Sequence, residues 1–222
     1  ANKILESGSK IFTLAILSSG SWTATAKDVN PQKHTSNTSS LIPINSSGAV
    51  KLQILLPGET AVPGKTASPE GKTGTPSNQT AGITFTVTVN GVDPYCNVST
   101  VAAQVVTVKT TDPYDVEPDG GLQNGTRKFD LKNYLASDVH KATATASGLA
   151  DGYSAYWTVI ASDAVKLQIV CPGETAKPGS PNGKDGAPSE QSSNVRFQVM
   201  VNSCDPYWNK SATGGLYDTK VR

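Results

Sequence analysis

The sequence has little charge, few aromatic residues and no long hydrophobic run. Of its 222 residues 17% are charged, and 19 basic side chains are balanced by 18 acidic ones, for a formal net charge of +1. Lys and Arg are scattered, so no basic surface is predicted that would attract nucleic acid or an anionic membrane. The most apolar stretch near the start, residues 11–17, is far shorter than the roughly 20 residues of a membrane-spanning helix. We therefore expect neither a nucleic-acid partner nor a membrane span.

Helical patterns are missing as well. No segment has apolar residues that recur with a period of 3.6 residues and are bounded by capping residues. An amphipathic helix shows both features. Ser and Thr instead supply 47 residues, Gly 20 and Pro 14, a composition that favours short strands joined by turns. In residues 83–89 apolar side chains alternate with Thr, which is the period of a half-buried strand. The predicted fold class is all-β.

The chain repeats itself about every 115 residues. Residues 49–64 (AVKLQILLPGETAVPG) recur as residues 164–179 (AVKLQIVCPGETAKPG), with 13 of 16 positions identical. Residues 83–97 return as residues 195–209. Weaker matches pair residues 8–12 with 125–129, and residues 23–26 with 143–146. About seven short antiparallel strands in each unit, separated by turn residues, indicate tandem immunoglobulin-like β-sandwiches.

These motifs also carry a resemblance. The succession LQILLPGETAxPG, GKTGTP, FTVTVN and VDPYxN resembles the Ig-like repeats that occur in tandem in large bacterial surface and secreted proteins. The resemblance covers nearly the whole chain, and it implies a non-catalytic fibre or stalk module that is extracellular or on the cell surface. The second copy is shorter in its Pro/Gly-rich loop and carries cysteines, so loop details do not carry over.

The repeat divides the chain in an unexpected way. Residues 1–48 match the C-terminal half of an Ig-like sandwich, residues 49–163 a complete sandwich, and residues 164–222 an N-terminal half. A half sandwich exposes its hydrophobic face and its strand edges, which soluble proteins avoid. In a complete mature protein, the half of one subunit would pair with the complementary half of the next, giving a head-to-tail homopolymer. In a segment of a longer protein, flanking sequence would complete both halves.

The first functional hypothesis is a structural subunit of an extracellular filament, assembled by strand or half-domain complementation. The expected core and assembly strands contain Ile11, Phe12, Leu14, Ile83, Phe85, Val87, Val89, Val195, Phe197, Val199 and Val201. The competing hypothesis is an adhesin or carbohydrate-binding segment that meets a glycan or host-surface ligand through Tyr95, Tyr207 and Trp208. Burial of these rings would count against it, and the repetition of Asp-Pro-Tyr at equivalent positions favours a packed turn.

The chain contains three cysteines, and two of them are candidates for a disulfide. Cys171 and Cys204 stand where the first copy has Leu56 and Val92. Because both positions change in the same copy, we predict that they are neighbours and form a disulfide, which would indicate an oxidising compartment. Two buried free thiols are the alternative. Cys96 has no evident partner and is either a buried thiol or a link between subunits.

Six Asn-x-Ser/Thr sequons are candidates for N-glycosylation in a suitable host. They begin at Asn37, Asn45, Asn78, Asn97, Asn124 and Asn209.

Nothing in the sequence supports catalysis or a cofactor. The Gly-Lys-Thr runs lack the glycine spacing of a phosphate-binding loop, and no Ser or Cys lies in a nucleophile pattern. His34 and His140 are expected at the surface. One acidic loop offers oxygen ligands to Ca²⁺, although its spacing favours a solvated loop. Its members are Asp112, Asp115, Glu117 and Asp119.

Overall fold

The computed structural model describes residues 3–29, 34–213 and 219–221. Every helix or strand assigned within those residues is a β-strand, which confirms the predicted all-β class. None of the described residues belongs to a helix long and apolar enough to cross a membrane.

The strands fall into three segments of the chain. The first segment, up to residue 48, contains β1 (Gly20–Trp22), β2 (Thr25–Ala26), β3 (Asn37–Thr38) and β4 (Ile42–Ile44). The middle segment, residues 49–163, contains β5 (Lys51–Leu55), β6 (Glu59–Ala61), β7 (Lys72–Gly74), β8 (Gln79–Thr80), β9 (Thr84–Val92), β10 (Val105–Thr110), β11 (Asp119–Gly121), β12 (Thr126–Lys132), β13 (Ser137–His140), β14 (Ala142–Ala146), β15 (Gly152–Tyr153) and β16 (Trp157–Ile160). The last segment, from residue 164, contains β17 (Lys166–Val170), β18 (Glu174–Ala176), β19 (Lys184–Gly186) and β20 (Met200–Cys204).

The middle segment encloses a hydrophobic core between sheets. One sheet has the strand order β12-β9-β5 and another has β11-β10-β14-β15. In the first sheet Phe129 lies opposite Val87, and Leu131 lies opposite Phe85. The core combines side chains from both sheets, among them Leu52, Ile54, Phe85, Val87, Val89, Val106, Val108, Phe129, Leu131, Ala142 and Ala144. This arrangement is consistent with a β-sandwich.

One predicted member of this core lies outside it. Phe85, Val87 and Val89 are buried as predicted, but Ile83 is exposed. The Ile83 amide donates a hydrogen bond to the Thr80 carbonyl oxygen at 3.0 Å, so Ile83 belongs to the turn that precedes β9. The alternation of side chains that buries one face begins only with the strand itself.

The outer segments repeat the strand pairing of the middle one. β1 pairs with β4 as β13 pairs with β16, and β17 pairs with β20 as β5 pairs with β9. The equivalent pairs are Gly20–Ile44 and Ser137–Val159 in one case, and Lys166–Cys204 and Lys51–Val92 in the other. The sequence repeat is therefore also a repeat of β-sheet register.

Two segments for which the sequence predicts strands belong to no sheet. They are residues 11–17 and residues 195–199, the part of the predicted strand that precedes β20. Their equivalents in the middle segment are β12 and the first part of β9, which pair with each other. The backbone groups of a strand need a neighbouring strand as hydrogen-bond partner. An alternating sequence pattern alone is therefore not enough to form a strand at these two places.

Candidate functional site

Side chains that fill the core of the middle segment have exposed equivalents in the outer segments. Phe129 and Leu131 are 3% and 1% exposed, whereas their equivalents Phe12 and Leu14 are 41% and 61% exposed. We call Phe12 and Leu14 the leading face.

The last segment shows the same contrast. Phe85 is 8% exposed, and its equivalent Phe197 is 53% exposed. Leu167 and Ile169, which correspond to buried residues of β5, are exposed too. We call Leu167, Ile169 and Phe197 the trailing face. Both faces thus expose apolar side chains whose equivalents are buried in the middle segment.

The remaining predicted assembly residues differ in their exposure to solvent. Val199 and Val201 are half-buried. Ile11 and Val195 are exposed, as are Lys128 and Ile83 at the equivalent positions. The prediction that Ile11 and Val195 contribute to a core face is therefore wrong. They occupy positions that face solvent in the middle segment as well.

The first and middle segments meet at Asp93 and Asn97. The Asn97 side-chain amide donates to the Leu17 carbonyl oxygen at 2.8 Å, and the Ser19 amide donates to Asn97 Oδ1 at 2.7 Å. Asp93 accepts hydrogen bonds from the Asn97 backbone amide at 3.0 Å and from the Ser47 amide at 3.2 Å. We call this set the first junction.

The middle and last segments meet in the same way. The Asn209 side-chain amide donates to the Tyr134 carbonyl oxygen, and the Ala136 amide donates to Asn209 Oδ1, both at 2.8 Å. Asp205 accepts from the Asn209 backbone amide at 3.0 Å and from the Ser162 amide at 3.2 Å. This second junction reproduces the first contact by contact.

A glycine at the end of each PGETAxPG motif contributes to the junctions. Gly64 and Gly179 have φ angles of 80° and 78°, in the left-handed region that favours glycine. Their amides donate to the carbonyl oxygens of Tyr95 and Tyr207, both at 2.8 Å. A Cβ on Gly179 would lie 2.9 Å from the Leu135 Cα atom. Close backbone approach at the junction therefore explains the last glycine of the motif.

Two of the predicted glycosylation sites are junction residues. Asn97 and Asn209 are buried, and a glycan would replace the hydrogen bonds that their side-chain amides donate. The structure contradicts modification of these two residues in the folded chain. The other sequons begin at exposed residues and remain predictions: Asn37, Asn45, Asn78 and Asn124.

The aromatic residues of the Asp-Pro-Tyr turns are largely used for packing. Tyr207 packs against Tyr134 with ring centroids 4.9 Å apart. Trp208 lies beneath the Lys166 ammonium group, whose nitrogen is 3.4 Å from the ring centroid. Tyr95 is exposed. Two of the three rings that a sugar platform would require are therefore engaged within the chain.

The predicted disulfide is absent, because Cys96, Cys171 and Cys204 are all free. Cys204 lies opposite Lys166 in the β17–β20 pair, and Cys171 follows the other end of β17. Five residues of strand place the two cysteines about 16 Å apart along the sheet, whereas a disulfide requires Cα atoms within about 7 Å. Positions that change together between two copies are not neighbours here.

Cys96 occupies the position that Trp208 holds in the second copy. Both residues have positive φ angles, 62° and 68°. Each faces a glycine, Gly71 or Gly183, where an added Cβ would collide with its side chain. The same backbone site therefore accepts either a thiol or an indole.

The thiols should differ in reactivity. Burial raises the pKa of the Cys96 and Cys204 thiols, which reduces the reactive thiolate fraction, whereas Cys171 is half-buried. We expect an alkylating reagent to modify Cys171 first in the folded protein, as read by peptide mass spectrometry. The intact mass should not change on reduction. A gain of two hydrogens on reduction, or preferential labelling of Cys96, would contradict the structure.

The Glu of PGETA forms a buried ion pair. Glu59 and Lys72 are 2.8 Å apart with little side-chain exposure, and Glu59 also accepts a hydrogen bond from the Leu56 amide at 2.9 Å. Glu59 lies in β6, Lys72 lies in β7, and Leu56 follows β5. These contacts therefore connect the β6–β7 hairpin to the end of β5. The equivalent ion pair, Glu174 with Lys184 at 2.7 Å, has a more exposed lysine.

The histidines behave differently from each other. His34 is exposed as predicted. His140 is buried, which corrects the expectation of a surface histidine. Its ring stacks on Trp157 with centroids 5.8 Å apart, and a ring nitrogen forms a 2.8 Å hydrogen bond with the Leu135 carbonyl oxygen. A buried polar group needs such a partner.

The acidic loop has a structural member. Asp112 is buried and accepts hydrogen bonds from the Tyr134 and Leu135 amides at 2.6 and 2.9 Å, next to the second junction. Within the described residues, no group of three or more His, Cys, Asp or Glu side chains could hold a metal ion.

The first junction should be sensitive to acid. Burial favours the neutral form of Asp93, but the hydrogen bonds from Asn97, Ser47 and Tyr95 favour the carboxylate and leave its pKa lowered. The folded pKa is thus below the unfolded value of about 3.9. The stabilisation is complete above that value and is lost as pH falls through the folded pKa.

We therefore expect the amide NMR resonances of Ser19 and Ser47 to hold steady at neutral pH and to shift only below about pH 4. Asp93→Asn should remove this transition. A transition between about pH 5 and 7 would mean that the Asp93 pKa is raised, contrary to this account.

Comparison with known proteins adds no family. No family model matches the sequence, and no curated protein matches it.

Proposed function

We propose that this protein is a structural subunit of an extracellular or cell-surface filament built from Ig-like β-sandwiches. The observation that carries the proposal is the recurrence of the junction. Asn97 contacts Leu17 and Ser19 as Asn209 contacts Tyr134 and Ala136. Units joined repeatedly by the same non-symmetric contact form an open linear array, in which each unit touches only its neighbours.

The two apolar faces supply the attraction between subunits. The leading face of one copy lies beside the trailing face of the next in one sheet, as Phe129 and Leu131 lie beside Val87 and Phe85, so each subunit contributes one intact sandwich and two complementary halves. Burying a Leu or Phe side chain that is exposed in the free subunit contributes roughly 1.5–3 kcal/mol. The filament needs no cofactor and no catalytic residue. Its partners are copies of the same chain.

The cell-surface location rests on the resemblance to tandem Ig-like repeats. The cysteines no longer support it, because the disulfide that would indicate an oxidising compartment is absent. An adhesin has less support than a filament. Of the rings that it would use, Tyr207 and Trp208 are engaged in packing, and Tyr95 alone is strongly exposed.

Electron microscopy of the purified full chain, over a range of concentrations, tests the proposal. We expect fibres whose axial repeat contains two sandwiches. Leu14→Asp places a charge on the leading face and should abolish them. Thr13→Asp is the matched control, because the intact unit already has Asp130 at this exposed position, and it should leave the fibres unchanged. Dispersed particles at every concentration would contradict the proposal.

A further inference from the structure

We infer that residues 9–15 of one copy form a β-strand that pairs antiparallel with residues 196–202 of the next copy. In this register Phe12 lies opposite Val199, and Leu14 lies opposite Phe197. The inference rests on the proposed filament and specifies the surface through which its subunits bind each other.

The template is the β12–β9 pair of the middle segment, in which Phe129 lies opposite Val87 and Leu131 opposite Phe85. A shift of 117 residues relates the first segment to β12, and a shift of 112 residues relates β9 to the last segment. The junctions obey the same two shifts independently. Leu17 and Tyr134 accept equivalent hydrogen bonds from the amides of Asn97 and Asn209.

Each of the two segments lacks a strand partner, and each could serve as the partner of the other. Residues 11–17 and 195–199 belong to no sheet, although their equivalents pair with each other in the intact unit. β20 pairs with β17 along one edge, and none of the described strands pairs with its other edge. In the middle segment β9 has β5 on one side and β12 on the other. The open edge of β20 is thus the place of a β12 equivalent.

The turn that leads into the missing strand is already formed. Glu6 and Ser9 make the same antiparallel bridge as Gln123 and Thr126. Between them, Ser7 and Gly8 have φ angles of 50° and 80°. Asn124 and Gly125, in the turn before β12, have φ angles of 51° and 78°. The first segment therefore presents residues 9–15 from a preformed turn, and only the strand partner is missing.

The occupant is a second copy of the chain. Within one copy the two segments do not pair, and the two junctions place the intact unit between them. The side chains match as well. Thr13 and Gln198 correspond to Asp130 and Thr86, which are hydrogen-bonded on the exposed side of the sheet, so a polar pair would again face solvent.

Disulfide trapping tests the register. The background is Cys96→Trp, Cys171→Leu and Cys204→Val, in which each cysteine takes the residue of the other copy. Thr13→Cys with Gln198→Cys places two thiols directly opposite each other in adjacent copies. Ile11→Cys with Arg196→Cys is the control, because the same register separates them by four residues, about 13 Å. Mild oxidation should give a ladder of covalent oligomers for the first pair and mainly monomer for the second.

Hydrogen exchange of the unmodified chain provides a second measurement, in case the substituted chain fails to fold. Amides of residues 9–15 and 196–199 that point at the partner strand should exchange at least roughly tenfold more slowly in fibres than in dispersed subunits. Some fibres could give no ladder of covalent oligomers from the Thr13→Cys and Gln198→Cys pair and no protection of these amides. That result would overturn the register but not the filament function. A ladder only from the control pair would do the same. A chain that never assembles would overturn both.

Discussion

Replacing Leu131 by Ala should lower the free energy of unfolding by about 2–5 kcal/mol. The same replacement at Leu14 should change the unfolding of the dispersed subunit by no more than about 0.5 kcal/mol. The two leucines occupy equivalent positions, but Leu131 is 1% exposed within the core and Leu14 is 61% exposed. Urea denaturation of the two variants under dispersing conditions measures the difference.

Leu14 should instead affect the assembly of the filament. Leu14→Ala removes part of the leading face, so the concentration needed for assembly should rise, by about tenfold if 1.4 kcal/mol of contact is lost. Light scattering against concentration reports this change. Equal losses of unfolding free energy in the two variants would show that Leu14 is already packed within its own chain, and the account of an unpartnered face would be wrong.

Glu59→Gln should destabilise the chain by about 3–5 kcal/mol, because it leaves the buried Lys72 ammonium group without its carboxylate. The two groups are 2.8 Å apart, and both side chains are largely buried. Chemical denaturation measures the loss. At the equivalent pair, Glu174→Gln should have a smaller effect, since the exposed Lys184 ammonium group can be solvated.

A double variant separates the lost charge partner from general disruption. Glu59→Gln combined with Lys72→Met removes both charges and should recover part of the stability lost in the single variant. If the double variant is less stable than Glu59→Gln alone, the cost comes from packing or from the Leu56 hydrogen bond rather than from an unpaired buried charge.

The sequence predicted those features that depend on a local period or on the repeat. It predicted the all-β class and the burial of Phe85, Val87 and Val89, because alternation places these side chains on one face of a strand. The same alternation failed at residues 11–17 and 195–199. Strand formation there depends on a partner far away in the chain or in another copy, which local pattern does not encode.

The residues of the two junctions also match other sequence patterns. Asn97 and Asn209 begin sequons, and Asp93 and Asp205 begin Asp-Pro-Tyr turns. Their recurrence at equivalent positions in both copies was the available signal of a repeated junction. The cysteine prediction failed for a related reason. Comparison of copies identifies equivalent positions, but only the β-sheet register shows which positions are neighbours.

A high-resolution reconstruction of the fibres by electron cryomicroscopy would show the contact between subunits itself. We expect a strand of residues 9–15 from one copy beside residues 196–202 of the next, antiparallel, with Phe12 opposite Val199 and Leu14 opposite Phe197. An open β20 edge in the fibre, or a different segment of the chain paired with it, would refute the half-domain complementation.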